Sequence, residues 1–276
     1  MTAVALEPTT MITALTAQWA ALTRAVTGLD ERQWRTPSPL PGWTVFDVLA
    51  HVTGTESMLL GEPNPEIAAA IREQPHVRND IGALNEAWLD TLRALTGAQL
   101  IDRFESVTGR RRAALAALGA PDWQQSLPSP VGVVPYVRFM RTRVFDCWMH
   151  ELDITDALGR EPDGDEADLR AELALDELTA SLGRTVVKRG GAPDGSRLTF
   201  ELTGPHARTV HIRVDGRAEV ADTLDRPADA VIRLDAGLFA RLCGGRVDAE
   251  GELARIALSG DRDLALRIVR NLAFTI

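Results

Sequence analysis

A chain of 276 residues is long for one hydrophobic core, and this length predicts two domains. Its composition is that of a globular protein, with 45% hydrophobic residues, while a net charge of −9 argues against nonspecific nucleic-acid binding, which requires a basic face. No apolar run approaches the length of a membrane span, and the first ten residues lack the pattern of a signal peptide. The sequence therefore predicts a cytoplasmic protein with no membrane or nucleic-acid partner.

The first half of the chain is predicted to be helical. Apolar residues at helical spacing cover residues 11–27, and further stripes cover residues 80–95 and 98–118. Thr44 and Asp47 have the spacing of a capping box, which predicts a helix from there to about residue 60.

A final helix is predicted after a proline-containing stretch. Residues 119–133 contain three prolines and are predicted to be a loop. The helical pattern then covers residues 134–158, and Gly159 predicts its C-terminal end. Cys147 in this helix and Cys243 are isolated from each other, so we expect no disulfide framework.

Asp146 and His150 are the most informative pair in this final helix. Because they are four residues apart, they project from one face and can hold a divalent metal between them. His51, on the helix that Thr44 caps, is a third candidate ligand. Three N/O ligands from two helices leave an open coordination position, which is typical of a catalytic metal site.

Asp146 has a second interpretation. Aspartate is a poor residue for a helix interior, and near a core its charge requires a partner. A salt bridge to Arg143, to Arg141 or to an arginine of another helix would provide one without any metal. Asp153 lies three residues after His150, a spacing that allows it to accept a hydrogen bond from the imidazole and to orient it as a metal ligand.

The other histidines are predicted to lie outside the site. His76 stands beside a proline in a polar loop, and His211 falls on the polar face of a predicted strand, so both are expected to be solvated. His206 lies in a Gly-Pro turn and is expected to be inert.

The second half of the chain changes to the alternating pattern of β-strands. The acidic segment 159–168 lacks large apolar residues and predicts a boundary between domains 1–160 and 161–276. After a helix at about 169–182, the alternation predicts an α+β domain with a mainly antiparallel sheet. The predicted strands and helices are strands at 198–202, 210–214, 218–220, 230–234 and 252–258, and helices at 235–243 and from 261.

Three segments carry a family resemblance. They are LPGWTVFDVLAHVTGTE at 40–56, RTRVFDCWMHELDITDALGR at 141–160 and PADAVIRLDAGLFARLCGGRVD at 227–248. The first two resemble signatures of the mycothiol-dependent maleylpyruvate isomerase family, a branch of the DinB-like four-helix bundles. The third resembles that family's C-terminal domain, which is similar to sterol-carrier-protein folds. The resemblance implies an N-terminal all-α DinB-like four-helix bundle and a C-terminal α+β domain.

The resemblance also implies a cofactor set. A divalent metal, usually zinc, would be bound by His51, Asp146 and His150, and mycothiol would be the thiol cofactor. The metal would ionise the thiol, and the thiolate would add to a small electrophilic molecule, giving cis–trans isomerisation or S-conjugation. No catalytic residue is expected beyond the metal ligands. The best-known members have glutamate at the position of Asp146, and the aspartate arm is shorter by about 1.5 Å.

Two other functions compete with this metalloenzyme. One is a nonenzymatic protein that binds a small apolar ligand in the sterol-carrier-like domain or serves as a metal-dependent sensor. The other has Asp146 in a core salt bridge and no metal. The sequence does not predict an oligomeric state.

Arg246 is a further candidate in the C-terminal domain. It follows Gly244 and Gly245, and a guanidinium exposed there would suit a carboxylate of the substrate or of the cofactor. The alternative is that Arg246 caps the helix that ends near Cys243.

Overall fold

The chain divides into two compact units. A computed structural model describes residues 4–162 and 168–274. One unit is Leu6–Asp163, and the other is Gly164–Ile276 together with Met1–Ala5. The central part of the predicted linker lies outside the described residues, and the domain boundary at 160/161 stays a prediction.

The first unit is helical, as predicted. Four long helices enclose its core, because α1 and α3 each pack against both α6 and α8, while α5 lies against α3. The helices are α1 (Pro8–Val26), α2 (Glu31–Trp34), α3 (Val45–Leu59), α4 (Ala69–Arg72), α5 (Asp80–Leu92), α6 (Gly97–Ala117), α7 (Ala120–Gln124) and α8 (Tyr136–Leu158).

Local signals fix where the two site-bearing helices begin and end. At the start of α3 the Thr44 N–H donates to Oδ2 of Asp47 at 2.9 Å, and the Asp47 N–H points back to Oγ1 of Thr44, which completes the predicted capping box. α8 follows Pro135 and ends at Gly159, whose φ of 62° is the left-handed conformation that glycine adopts without strain. The start of α3 and the end of α8 are as predicted, whereas α8 begins two residues later than expected because Val134 and Pro135 belong to a β-strand.

The prediction of a plain loop at 119–133 was wrong. This segment contains α7 and a hairpin of β1 (Ser126–Ser129) and β2 (Gly132–Pro135), which are antiparallel. The prolines that suggested a loop are accommodated, because a proline in the first helical turn needs no N–H partner and an isolated two-stranded hairpin has only edge strands.

Apolar side chains fill the interior of the helical unit. Leu15 and Leu22 of α1, Phe46 and Leu49 of α3 and Phe104 of α6 are fully buried. Burial of each such side chain stabilises the fold by roughly 1.5–3 kcal/mol. Within the described ranges, no helix is both apolar enough and long enough to span a membrane.

The second unit has a five-stranded sheet in the order β5-β4-β3-β6-β7, which is antiparallel except for the parallel pair β3–β6. The mainly antiparallel sheet was predicted correctly. The last strand begins later than expected, because residues 249–255 are helical. The likeness of this unit to sterol-carrier proteins stays a prediction. Its elements are α9 (Leu169–Lys188), β3 (Arg197–Thr203), β4 (Arg208–Asp215), β5 (Arg217–Ala221), β6 (Ala230–Asp235), α10 (Ala236–Cys243), α11 (Ala249–Glu252), a 3-10 turn (Leu253–Arg255), β7 (Ala257–Gly260) and α12 (Arg262–Arg270).

Candidate metal centre

His51, Asp146 and His150 come together where α3 packs against α8. Nε2 of His51 lies 3.7 Å from Oδ2 of Asp146, and Nε2 of His150 lies 3.8 Å from Oδ1 of the same carboxylate. One ligand atom from each residue lies within 4.8 Å of the other two. The two histidines are buried, whereas the Asp146 side chain is 33% exposed. The predicted residues therefore form one cluster that solvent reaches at Asp146.

The cluster has the donor types and the size of a zinc site. Two imidazole nitrogens and a carboxylate oxygen form a donor set of the kind found in catalytic zinc sites. Around a tetrahedral ion with bonds of about 2.0–2.1 Å, neighbouring ligand atoms lie about 3.3–3.4 Å apart. The distances of 3.7 and 3.8 Å run to the two different oxygens of Asp146, and the ligand atoms spread over up to 4.8 Å, so side-chain rotations would be needed to bring all three residues onto one ion. The three residues fit a divalent ion.

Protonation in the cluster favours metal binding. Burial lowers the pKa of His51 below its ordinary value, so its imidazole is neutral at pH 7 and offers a lone pair. Burial alone would raise the pKa of Asp146, but the Arg143 guanidinium and the two imidazoles hold it well below its ordinary value. Asp146 is therefore ionised and suited to bind a cation.

Asp153 lies where the sequence predicted it would touch His150. Its Oδ2 is 2.9 Å from Nδ1 of His150, and the Asp153 side chain is fully buried. A ring proton on Nδ1 that is donated to this carboxylate leaves Nε2 free to face Asp146.

Arg143 forms the ion pair that the sequence offered as the alternative to a metal. Its Nη1 donates to Oδ2 of Asp146 at 2.6 Å, and its Nη2 donates to Oε1 of the buried Glu56 at 2.9 Å. The second oxygen of Asp146, Oδ1, faces His150. The ion pair and the histidine cluster thus share one carboxylate, and the two interpretations of Asp146 are compatible.

Trp43 forms a wall of the cluster. Its ring centroid lies 5.2 Å from that of His51 and 6.3 Å from that of His150. The indole Nε1 donates to Oε1 of the buried Glu86 at 2.6 Å. Glu86 also lies 2.9 Å from Nε2 of His76, so the prediction that His76 is solvated was wrong. The half-buried His76 ring packs against Gly42, which precedes α3. Any larger residue at position 42 would crowd the ring, because a Cβ at that position would come within 2.9 Å of it.

Three other residues considered in the sequence lie outside the cluster. Arg246 donates from Nη1 to the Gly244 carbonyl at the end of α10, at 2.6 Å, which is the geometry of a helix cap. His211 is half-buried and its Nδ1 lies 3.0 Å from Oγ1 of Thr199, so the expectation that it is solvated was wrong. Cys147 is fully buried on α8, and burial raises the pKa of its thiol.

Sequence reasoning missed Trp43, Glu56 and Glu86. Trp43 and Glu56 lie inside the segment 40–56 that carries the family resemblance, and an acidic residue within an apolar helix was a usable signal for Glu56. Glu86 has one partner nearby in the sequence, Arg93 seven residues later, but its contacts with Trp43 and His76 span 43 and 10 residues and could not be read from the local pattern.

Sequence profiles match both halves of the chain. The profile of the mycothiol maleylpyruvate isomerase N-terminal domain matches residues 15–155. The profile of that family's C-terminal domain matches residues 172–267. The chain belongs to this family. The first match includes His51, Asp146 and His150, so the cluster lies in the domain that the family profile covers.

Solved structures share the fold of this family member. The crystal structure of the mycothiol-dependent maleylpyruvate isomerase is 19% identical, with a TM-score of 0.61 over 94% of this chain and 96% of that chain. A histidine-to-alanine mutant of that isomerase gives 18% identity and a TM-score of 0.59 over the same shares. At this identity the comparison establishes a common fold.

Two curated relatives are uncharacterized proteins from strains of Mycobacterium tuberculosis. Each is 27% identical over 157 residues, which is 55% of this chain. The matched region spans 58% of the length of each relative.

Proposed function

We propose that this family member is a metal-dependent enzyme that uses mycothiol and acts on a small electrophilic molecule, either as a maleylpyruvate isomerase-like cis–trans isomerase or as a thiol S-transferase. The observation that carries the proposal is the cluster of His51, Asp146 and His150, with donor atoms within 4.8 Å of one another. Membership of the family supports the thiol cofactor.

Each residue of the cluster has a definite task in this proposal. His51 and His150 present Nε2 lone pairs from two helices, and Asp146 offsets the charge of the cation. Zinc bound by these three residues would supply a Lewis acid at which the cofactor's sulfur binds as a thiolate at neutral pH. The exposed side of Asp146 gives small molecules an approach, while Trp43 covers the imidazoles.

The nucleophile in this proposal is the cofactor's sulfur. Cys147 lies next to Asp146 in the chain, but burial raises the pKa of its thiol, so Cys147 stays protonated and unreactive. The cofactor held at His51, Asp146 and His150 would supply a thiolate nucleophile, suited to reversible addition to an electron-poor double bond in an isomerase reaction. In the transferase reaction the new carbon–sulfur bond is retained.

A titration of the cobalt-substituted protein with mycothiol tests the proposal. Protein purified without a histidine tag should bind one divalent ion. Addition of mycothiol should produce a sulfur-to-cobalt charge-transfer band and release a proton, because the thiol must ionise to coordinate. Mycothiol with a blocked sulfur is the control and should give neither signal.

Turnover distinguishes the possible outcomes. Metal-dependent turnover of maleylpyruvate, abolished in His51→Ala, would support the isomerase, and conjugation of a general electrophile would support the transferase. A charge-transfer band without either reaction would favour a nonenzymatic sensor. If metal binds and mycothiol gives neither the band nor the proton, the thiol chemistry is wrong.

A further inference from the structure

A chain of buried ion pairs ends on the candidate ligand Asp146. The fully buried Glu56 of α3 accepts hydrogen bonds at Oε1 from Nη2 and Nε of Arg143, at 2.9 and 3.2 Å. Its other oxygen accepts from Nε of the buried Arg111 of α6, at 2.9 Å. Nη1 of Arg143 then donates to Oδ2 of Asp146 at 2.6 Å. Charged groups from three helices thus converge on this carboxylate.

The negative charge of Asp146 could be compensated without these buried ion pairs. The Asp146 side chain is 33% exposed and water could solvate it, whereas Glu56 and Arg143 are buried. Removing an ion from water costs several kcal/mol unless its partners are well placed. The buried ion pairs of Glu56 with Arg111 and Arg143 therefore lie behind Asp146 and constrain its position.

The guanidinium of Arg143 transmits this constraint because it is rigid and planar. One of its edges, Nε and Nη2, is engaged by Glu56, so Glu56 fixes the plane of the group. The remaining nitrogen, Nη1, points along a fixed direction to Oδ2 of Asp146. The rotation of the Asp146 carboxylate follows from the position of Glu56.

This constraint distinguishes the two oxygens of Asp146. Oδ2 lies 3.7 Å from Nε2 of His51, but it already accepts the hydrogen bond from Arg143. Oδ1 faces Nε2 of His150 at 3.8 Å. We propose that Glu56 and Arg143 are positioning residues that hold Asp146 so that it binds the metal through Oδ1 alone. This inference rests on the proposed metal site.

Arg143→Lys is the first test. Lysine keeps the positive charge, but its single ammonium lacks the two edges that contact Glu56 and Asp146 together. Loss of a hydrogen-bonding partner of a ligating carboxylate weakens metal binding by roughly 10- to 100-fold, and we expect this loss here. Asp146 would then be free to bind through either or both oxygens. This change in coordination should weaken and shift the visible absorption bands of bound cobalt.

Glu56→Gln tests the same series of ion pairs one step further from Asp146, without changing any proposed metal ligand. We expect weaker metal binding in the same direction as in Arg143→Lys. The double variant should bind metal no more weakly than Arg143→Lys alone, because both substitutions remove the same constraint on Asp146. Glu56→Gln also serves if Arg143→Lys is too unstable to purify.

Arg208→Lys is a matched control. Arg208 is a buried arginine of the C-terminal unit that also binds two carboxylates, Glu172 and Asp176. This control should change only the free energy of unfolding, and not metal affinity or the cobalt spectrum. If wild-type protein binds no metal, both the proposed function and this inference fail. If wild type binds metal and both Arg143→Lys and Glu56→Gln match its affinity and spectrum, only the positioning role is overturned.

Discussion

Nδ1 of His150 lies 2.9 Å from Oδ2 of the fully buried Asp153, one turn further along α8. This contact places Nε2 of the same ring towards Asp146, because the two ring nitrogens point to opposite sides of the imidazole. A hydrogen bond within one helix thus determines which atom of His150 enters the candidate metal centre.

Asp153→Asn should weaken metal binding by roughly 10- to 100-fold without abolishing it, because the amide is a poorer acceptor and no longer fixes the imidazole. Competition with a coloured chelator measures the affinity. Asp156→Asn, which removes the same charge three residues further along α8, is the control and should bind as wild type does. Equal affinity in the Asp153 variant would leave Asp153 as a structural residue only.

Substitution of the ligands should separate metal binding from folding. His51→Ala and His150→Ala should each lose most of the bound metal and keep the helical fold, since the apolar contacts between the helices remain. Asp146→Glu should retain metal, because glutamate keeps a carboxylate donor and is the residue that the family resemblance implies at this position. Elemental analysis and circular dichroism measure the two quantities. The control, His211→Ala, removes a histidine of the C-terminal unit; metal content as high in the His51 and His150 variants as in this control would eliminate the site.

Removal of the metal should leave the protein folded. Without a metal ion, the series of ion pairs contains two cations, Arg111 and Arg143, and two anions, Glu56 and Asp146. Its charges therefore balance. Burial also keeps the pKa of His51 below its ordinary value, so it adds no charge at pH 7. After treatment with a chelator, far-UV circular dichroism should be unchanged, and thermal unfolding should shift only by the stabilisation that ligand binding provides. Unfolding of the chelated protein would indicate a structural metal instead.

Trp43 should report on the site by fluorescence. Its indole ring lies against both histidines, with centroid distances of 5.2 and 6.3 Å, so bound cobalt with its open d shell should quench its emission. Zinc, with a filled d shell, should quench less. Trp43→Phe should remove the largest part of the cobalt response, whereas Trp123→Phe should lower the emission and leave the response. Equal responses in both variants would place the metal elsewhere.

An ion pair in the second unit predicts a pH effect on stability. Hydrogen bonds from Arg197 lower the pKa of Asp225 from 3.8 to about 2. The pKa of Asp225 is lower in the folded protein than in the unfolded one, so between about pH 4 and pH 2 the unfolded state binds more protons. The stabilisation that this ion pair contributes above about pH 4 is therefore lost as the pH falls towards 2. Asp225→Asn should lose less stability than wild type over this interval, as measured by urea unfolding. Identical pH profiles would show that the pair is without effect, and high salt should weaken the difference.

The sequence alone determined the long helices, most of the strands and the ligand candidates, because the signals for these are local. Thr44 and Asp47 cap α3 three residues apart, and Gly159 ends α8 by adopting a left-handed conformation. Asp146 and His150 share a helix face because they are four residues apart. The alternation of apolar residues likewise predicted a mainly antiparallel sheet.

Tertiary structure decided which partners surround those candidates. Arg143 meets Glu56 across 87 residues of chain, and Trp43 meets Glu86 across 43, so neither pairing follows from a helical or strand period. His51 joins the cluster only because α3 packs against α8, and the parallel pairing of β3 with β6 depends on a crossover that alternation does not specify. Local periodicity assigns a side chain to a face of its element, whereas packing between distant helices determines what that face meets.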